Sequence, residues 1–153
     1  MGNSLIWAVL GLLCITAGPA FSEKPPACLK DGRQYGVTSG AFRSRWWNFQ
    51  ERGDSYLEGG CYEAALADFD QALELRKKQV QNDCDQRQAR TYGMHLTCFY
   101  GHRERGIALF YLGRTSEAQK ELESSLACAK SPKAQEYLDR VVGAKAAVIP
   151  EKK

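Results

Sequence analysis

Between Glu51 and Leu73, apolar and small side chains recur every three to four positions on either side of Gly60, the period of amphipathic helices rather than of strands. The stretch ERGDSYLEGGCYEAALADFDQAL (Glu51 to Leu73) has a counterpart 53 positions later, ERGIALFYLGRTSEAQKELESSL (Glu104 to Leu126), with the same stripes around Gly113. Both begin Glu-Arg-Gly, and both carry Ala (Ala65, Ala118) and Leu (Leu73, Leu126) at matching places. The pattern predicts an internal repeat in which each copy is helix, turn, helix, with Gly60 and Gly113 supplying the turns. Gly53 with Ala65, and Gly106 with Ala118, are small enough to let two antiparallel helices approach closely. Tyr56, Phe69, Leu109 and Leu122 fill the space between hairpins.

Beyond the first copy, the second helix is expected to run on through LRKKQVQ until Asn82-Asp83 stops it, and Lys77 to Cys98 reads as an insertion between the hairpins. Ser131-Pro132 is a helix start, Ser as cap and Pro in the first turn, and the helix that follows aligns Ala134, Tyr137, Leu138, Val141 and Val142 on one side as a capping helix. The predicted class is therefore all-α. The Pro/Gly-rich stretch Ser22 to Gly36 and the charged end after Pro150 read as frayed. These signals divide the chain into 1–22 signal, 23–41 flexible segment, 42–146 helical domain and 147–153 disordered tail.

At 153 residues the chain holds one domain with a modest core. Leu5 to Ala20 is apolar and uncharged, too short to span a bilayer, and is followed by small residues, as in a secretory signal. Ala20-Phe21-Ser22 places the cut after Ser22, with Ala20 as the alternative. The chain is then periplasmic or secreted, with membrane contact only if the segment stays uncleaved or is lipidated. Removing it leaves five of the six cysteines: Cys28, Cys61, Cys84, Cys98 and Cys128. Export permits oxidation, and the odd count leaves one thiol over. Because a helical hairpin sets the start of its first helix beside the end of its second, Cys98 with Cys128 is the expected disulfide, with Cys84–Cys98 as the alternative. Closing about 30 residues contributes about 3 kcal/mol.

The positions Gly53, Tyr56, Gly60, Ala65, Phe69 and Ala72 resemble the tetratricopeptide repeat. The second copy matches at Gly106, Gly113, Ala118 and Leu122, with Leu109 for the aromatic and Ser125 for the last Ala. Arg52 and Arg105 stand where the family usually has Leu, so each must snorkel outward or pair with a carboxylate. Gly101 stands where a helix-starting Pro is expected. The segments RWWNFQERG, DQRQARTYGMH and HRERG are similar to a group of exported bacterial tetratricopeptide proteins. The resemblance implies a concave groove for an extended peptide, lined by Trp47, Gln50, Asp54 and Leu57 in the first copy and by Tyr100, Arg103, Ile107, Phe110 and Tyr111 in the second.

Other chemistry finds little support. A net charge of +3 falls short of a nucleic-acid footprint. The chain lacks G-x-S-x-G, H-E-x-x-H, C-x-x-C and a phosphate-binding Gly-rich loop, so no catalysis and no cofactor is expected. Cys84, His95, Cys98 and His102 crowd a short span without the paired spacing of a zinc site, so no metal is expected. The reading is a non-catalytic adaptor of the bacterial cell envelope that binds a protein or peptide segment. One alternative is a glycan- or peptidoglycan-binding protein using Trp46, Trp47 and nearby Arg; another is a small thiol or zinc protein centred on Cys84 to His102. Two repeats are few, so the insertion, the capping helix or a second copy of the chain must cover the ends.

Overall fold

The computed structural model describes residues 26–148. In chain order the elements are β1 (Cys28–Lys30), β2 (Arg33–Tyr35), α1 (Trp46–Gly59), α2 (Tyr62–Val80), β3 (Gln86–Arg90), β4 (Leu96–Phe99), α3 (Gly101–Tyr111), α4 (Thr115–Cys128) and α5 (Pro132–Val148). The expected signal, residues 1–22, and the tail from 149 onward lie outside the described residues, while Ala147 and Val148, assigned to the disordered tail, belong to α5.

Helices dominate, and α1/α2 and α3/α4 are each joined at a glycine in the left-handed region, Gly60 at φ 78° and Gly113 at φ 74°. Residues 53 apart make the same contacts. A Cβ on Gly53 would lie 2.7 Å from Phe69 Cε1, and one on Gly106 would lie 2.8 Å from Leu122 Cγ. Ala65 and Ala118 are fully buried, as are Phe69 and Leu122. Helix α2 ends at Val80 and Gln81 turns left-handed, directly before Asn82-Asp83. Ser131 starts α5 with its hydroxyl oxygen accepting from the Ala134 N–H at 3.2 Å. Ala134 and Val141 pack into the core, whereas Val142, expected on the same side, is half exposed.

Two antiparallel hairpins correct the all-α expectation. The first, β1 with β2, occupies the stretch expected to be flexible. It is held there by a disulfide from Cys28 to Cys61 at the start of α2, and the Tyr56 hydroxyl donates to the Pro26 carbonyl at 3.0 Å. The second, β3 with β4, is the insertion itself, turning at Tyr92 to His95 with Gly93 at φ 53°. An isolated two-stranded hairpin is marginal in water. This one is anchored by Ala89 and Phe99, both buried, with Phe99 edge-on to Trp46 at 5.2 Å. Arg76 lies over both rings and donates to Gln86 Oε1 at 2.7 Å.

The expected Cys98–Cys128 disulfide and its alternative, Cys84–Cys98, are both overturned. Cys84 pairs with Cys128, and Cys98 is a free, exposed thiol. Strand geometry explains the exchange. Successive side chains alternate faces, so burying Phe99 turns Cys98 to solvent. Gln86 sits opposite Phe99, which brings Asp85 and Cys84 level with the start of α3, beside the end of α4. Asp85 then caps α3, its carboxylate accepting from the backbone N–H groups of His102 at 3.0 Å and Arg103 at 3.1 Å. Gly101 is a packing requirement, since a Cβ there would lie 2.8 Å from both Leu73 Cδ2 and Phe99 Cζ.

Candidate functional site

Helix α1 presents Trp47, Gln50 and Asp54 at spacings of three and four, hence on one face. The tip of the β3–β4 hairpin comes over that face, with Tyr92 against Trp47 at 6.1 Å between ring centroids and His95 against Tyr92 at 4.5 Å. Two cavities result. One, of about 590 Å³, includes Arg43, Arg45, Trp47 and Tyr92 in its lining. The other, of about 550 Å³, includes Trp47, Gln50, Glu51, Asp54, Tyr92 and His95. Trp47 and Tyr92 belong to both, so they form a shared aromatic wall.

The deeper polar groups come from three helices. Gln50 is 5 % exposed; its amide donates to Asp54 Oδ1 at 3.0 Å, and its Oε1 has no hydrogen-bond partner among the described residues. Glu104 of α3 is buried and paired with Arg103 at 2.6 Å and Lys133 at 2.8 Å. Burial and the neighbouring Glu104 charge push the Asp54 carboxyl up to about 7, against smaller opposing contributions from the Gln50 amide, Lys133 and Arg103. Burial also acts on His102, lowering its pKa. The hydrogen bond to Glu121 at 2.7 Å, with the Glu121, Asp85 and Asp83 charges, outweighs that and leaves it raised.

Both shifts give stability the same pH sign. Between pH of about 4 and about 7 the folded chain keeps a proton on Asp54 that the unfolded chain has lost, so stability falls as pH rises through that window. The His102 contribution is complete below its unfolded value of about 6.5 and is lost as pH rises through its higher folded value. The midpoint of thermal unfolding should therefore decline from pH 5 to pH 8, and Asp54→Asn should flatten the part below about pH 7. A circular dichroism melting series that is level or rises over this range contradicts the assignment.

The nine-residue groove drawn from the sequence divides into separate surfaces. Trp47, Gln50 and Asp54 line the cavities described above. Tyr100 and Arg103 engage each other, the guanidinium 3.6 Å over the ring. Ile107 is 1 % exposed and belongs to the core, which corrects its place among partner-binding residues: α3 runs between α2, α4 and α5, and Ile107 is turned inward. Phe110 is half-buried against Tyr111 and Tyr137. Tyr111 is half exposed, stacks on Tyr62 at 4.6 Å and shares a hydroxyl hydrogen bond with Tyr137 at 2.9 Å.

Tyr92, His95 and Glu51 were missed as site residues. The β-prone residues around Gly93 (Thr91 and Tyr92, then Leu96 and Thr97) were the available signal for a hairpin. Trp46, half of the suggested glycan-binding pair, is fully buried under Phe99. Cys84 is consumed by its disulfide, which removes it from the four candidate zinc ligands.

No family model, curated protein or solved structure matches the chain. Fold and site together define a mainly helical, disulfide-bonded protein of an oxidising compartment. Among the described residues no helix is long and apolar enough to cross a membrane.

Proposed function

We propose that the chain is a non-catalytic interaction module of the bacterial cell envelope, a short tetratricopeptide-like array holding an extended protein segment along α1. One observation carries the reading: Trp47 stands between two cavities on the exposed face of a helical hairpin, with Tyr92 opposite. A planar wall flanked by two recesses suits neighbouring side chains of an extended strand, and aromatic residues are the anchors in which interfaces are enriched. The matching contacts at Gly53–Phe69 and Gly106–Leu122 support the repeat reading.

Selection from a displayed library of random peptides tests it. A shared sequence pattern should be enriched on the mature chain and lost on Trp47→Ala, with helix content and both disulfides intact. Absence of any pattern, or enrichment that survives the substitution, overturns the reading. A glycan-binding alternative rests on Arg43 and Arg45 beside Trp47 in the first cavity; it predicts retention on insoluble peptidoglycan that Trp47→Ala abolishes.

A further inference from the structure

The second cavity has a definite electrostatic character. Trp47, Tyr92 and His95 offer ring faces, Gln50, Glu51 and Asp54 offer oxygens, and no Lys or Arg among the described residues lines it. The cations that act on Asp54 are already committed, since Arg103 and Lys133 both pair with Glu104. Glu51 Oε1 accepts from the Ser39 N–H at 2.8 Å and its hydroxyl at 2.5 Å, which fixes the carboxylate at the rim. Gln50 Oε1 is a buried acceptor with no donor to meet it. An orphaned acceptor of this kind carries a desolvation cost until a donor arrives. Two carboxylates and an unpaired amide oxygen therefore lie beneath aromatic faces that attract cations, with no Lys or Arg among the described residues in the lining to oppose them.

We propose that this cavity receives the basic side chain, lysine or arginine, of the segment bound along α1. The inference rests on the adaptor reading and adds the chemical class of residue recognised. An ammonium brings three donors and a guanidinium five, with no acceptor, which complements the Glu51 and Asp54 carboxylates. At about 550 Å³ the space exceeds what a bare ion needs and admits a long aliphatic stem with its charged head. The cavity across the Trp47 and Tyr92 wall carries Arg43 and Arg45 and disfavours the same occupant.

Protonation of Asp54 should gate occupancy. A cation entering below pH of about 7 displaces the Asp54 proton, so binding strengthens as pH rises to that value and then levels. The other titratable and charged groups facing it are Glu51 on its own helix, Glu104 and Arg103 from α3, Lys133 from α5 and His95 from the hairpin turn.

The test uses the mature chain with blocked single-residue probes: acetyl-arginine methylamide and acetyl-lysine methylamide against the neutral citrulline and norleucine analogues. Nuclear magnetic resonance should show the basic probes shifting the Trp47 indole N–H and binding at least about tenfold tighter than the neutral ones. Asp54→Asn, nearly isosteric, should remove about that factor at pH 8 and little at pH 5. Equal binding of charged and neutral probes, shifts confined to residues away from Trp47, or an Asp54→Asn effect that does not depend on pH overturns the proposal. Selected peptides that depend on Trp47 yet lack a basic residue sink the cation pocket and leave the adaptor standing. Basic probes that bind while no peptide is enriched do the reverse.

Discussion

Replacing Cys84 and Cys128 together with Ser is expected to lower the unfolding free energy by about 4 kcal/mol, the chain-entropy value for a bridge with a sequence separation of 44. The loss should have a place as well as a size. Cys84 holds the adjacent Asp85 beside α3, where its buried carboxylate satisfies the N–H groups of His102 and Arg103. Without the bridge the strand before β3 is free to leave, and the first turn of α3 loses its cap. Amide exchange should therefore accelerate first at His102 and Arg103 and along the β3–β4 hairpin. Loss of Cys28–Cys61 instead releases the N-terminal hairpin from the α1–α2 turn, with α3 protected as before. Denaturant unfolding within about 1 kcal/mol of the parent, together with unchanged protection at His102, contradicts this account.

The second large effect is expected at Asp68. Arg52 donates to it through Nε and Nη2, both at 2.7 Å, and the side chains are only 14 % and 7 % exposed. The guanidinium also lies 4.1 Å over the Phe42 ring and is thereby fixed in place. Asp68→Ala leaves that charge buried without its partner and should cost about 3–5 kcal/mol. Adding Arg52→Leu removes the stranded charge and should restore most of the loss. Arg105 makes the equivalent pair with Glu121 of α4 at 2.8 Å and also reaches Asp70 of α2, but Asp70 is about half exposed, so Asp70→Ala should cost no more than about 1 kcal/mol. A urea double-mutant cycle measures all of these, and a double variant as unstable as Asp68→Ala contradicts the stranded-charge argument.

These two results concern features of unequal legibility. That Arg52 and Arg105 must snorkel or find a carboxylate followed from their standing where the tetratricopeptide repeat they resemble has Leu, and Asp68 and Glu121 lie at matching places on the second helix of each hairpin. The turns at Gly60 and Gly113, the stop after Val80 and the start at Ser131 were equally open to inspection. The cysteine pairing was not. It depends on Gln86 meeting Phe99 across a hairpin that composition does not announce, and a shift of one residue sends a different side chain inward. The candidate site was half legible: Trp47, Gln50 and Asp54 follow from helical spacing, whereas Tyr92 and His95 reach them only because the insertion folds back over α1.

By itself, then, the sequence determined the helices, their turns and the close approaches at Gly53 and Gly106, because these arise from contacts between residues three to twenty positions apart. Tertiary structure alone decided that Cys84 rather than Cys98 meets Cys128, that Asp85 caps α3, and that an aromatic hairpin roofs an acidic recess on α1. Those outcomes depend on strand register and on the burial of Trp46 and Phe99 against each other, which no local periodicity encodes.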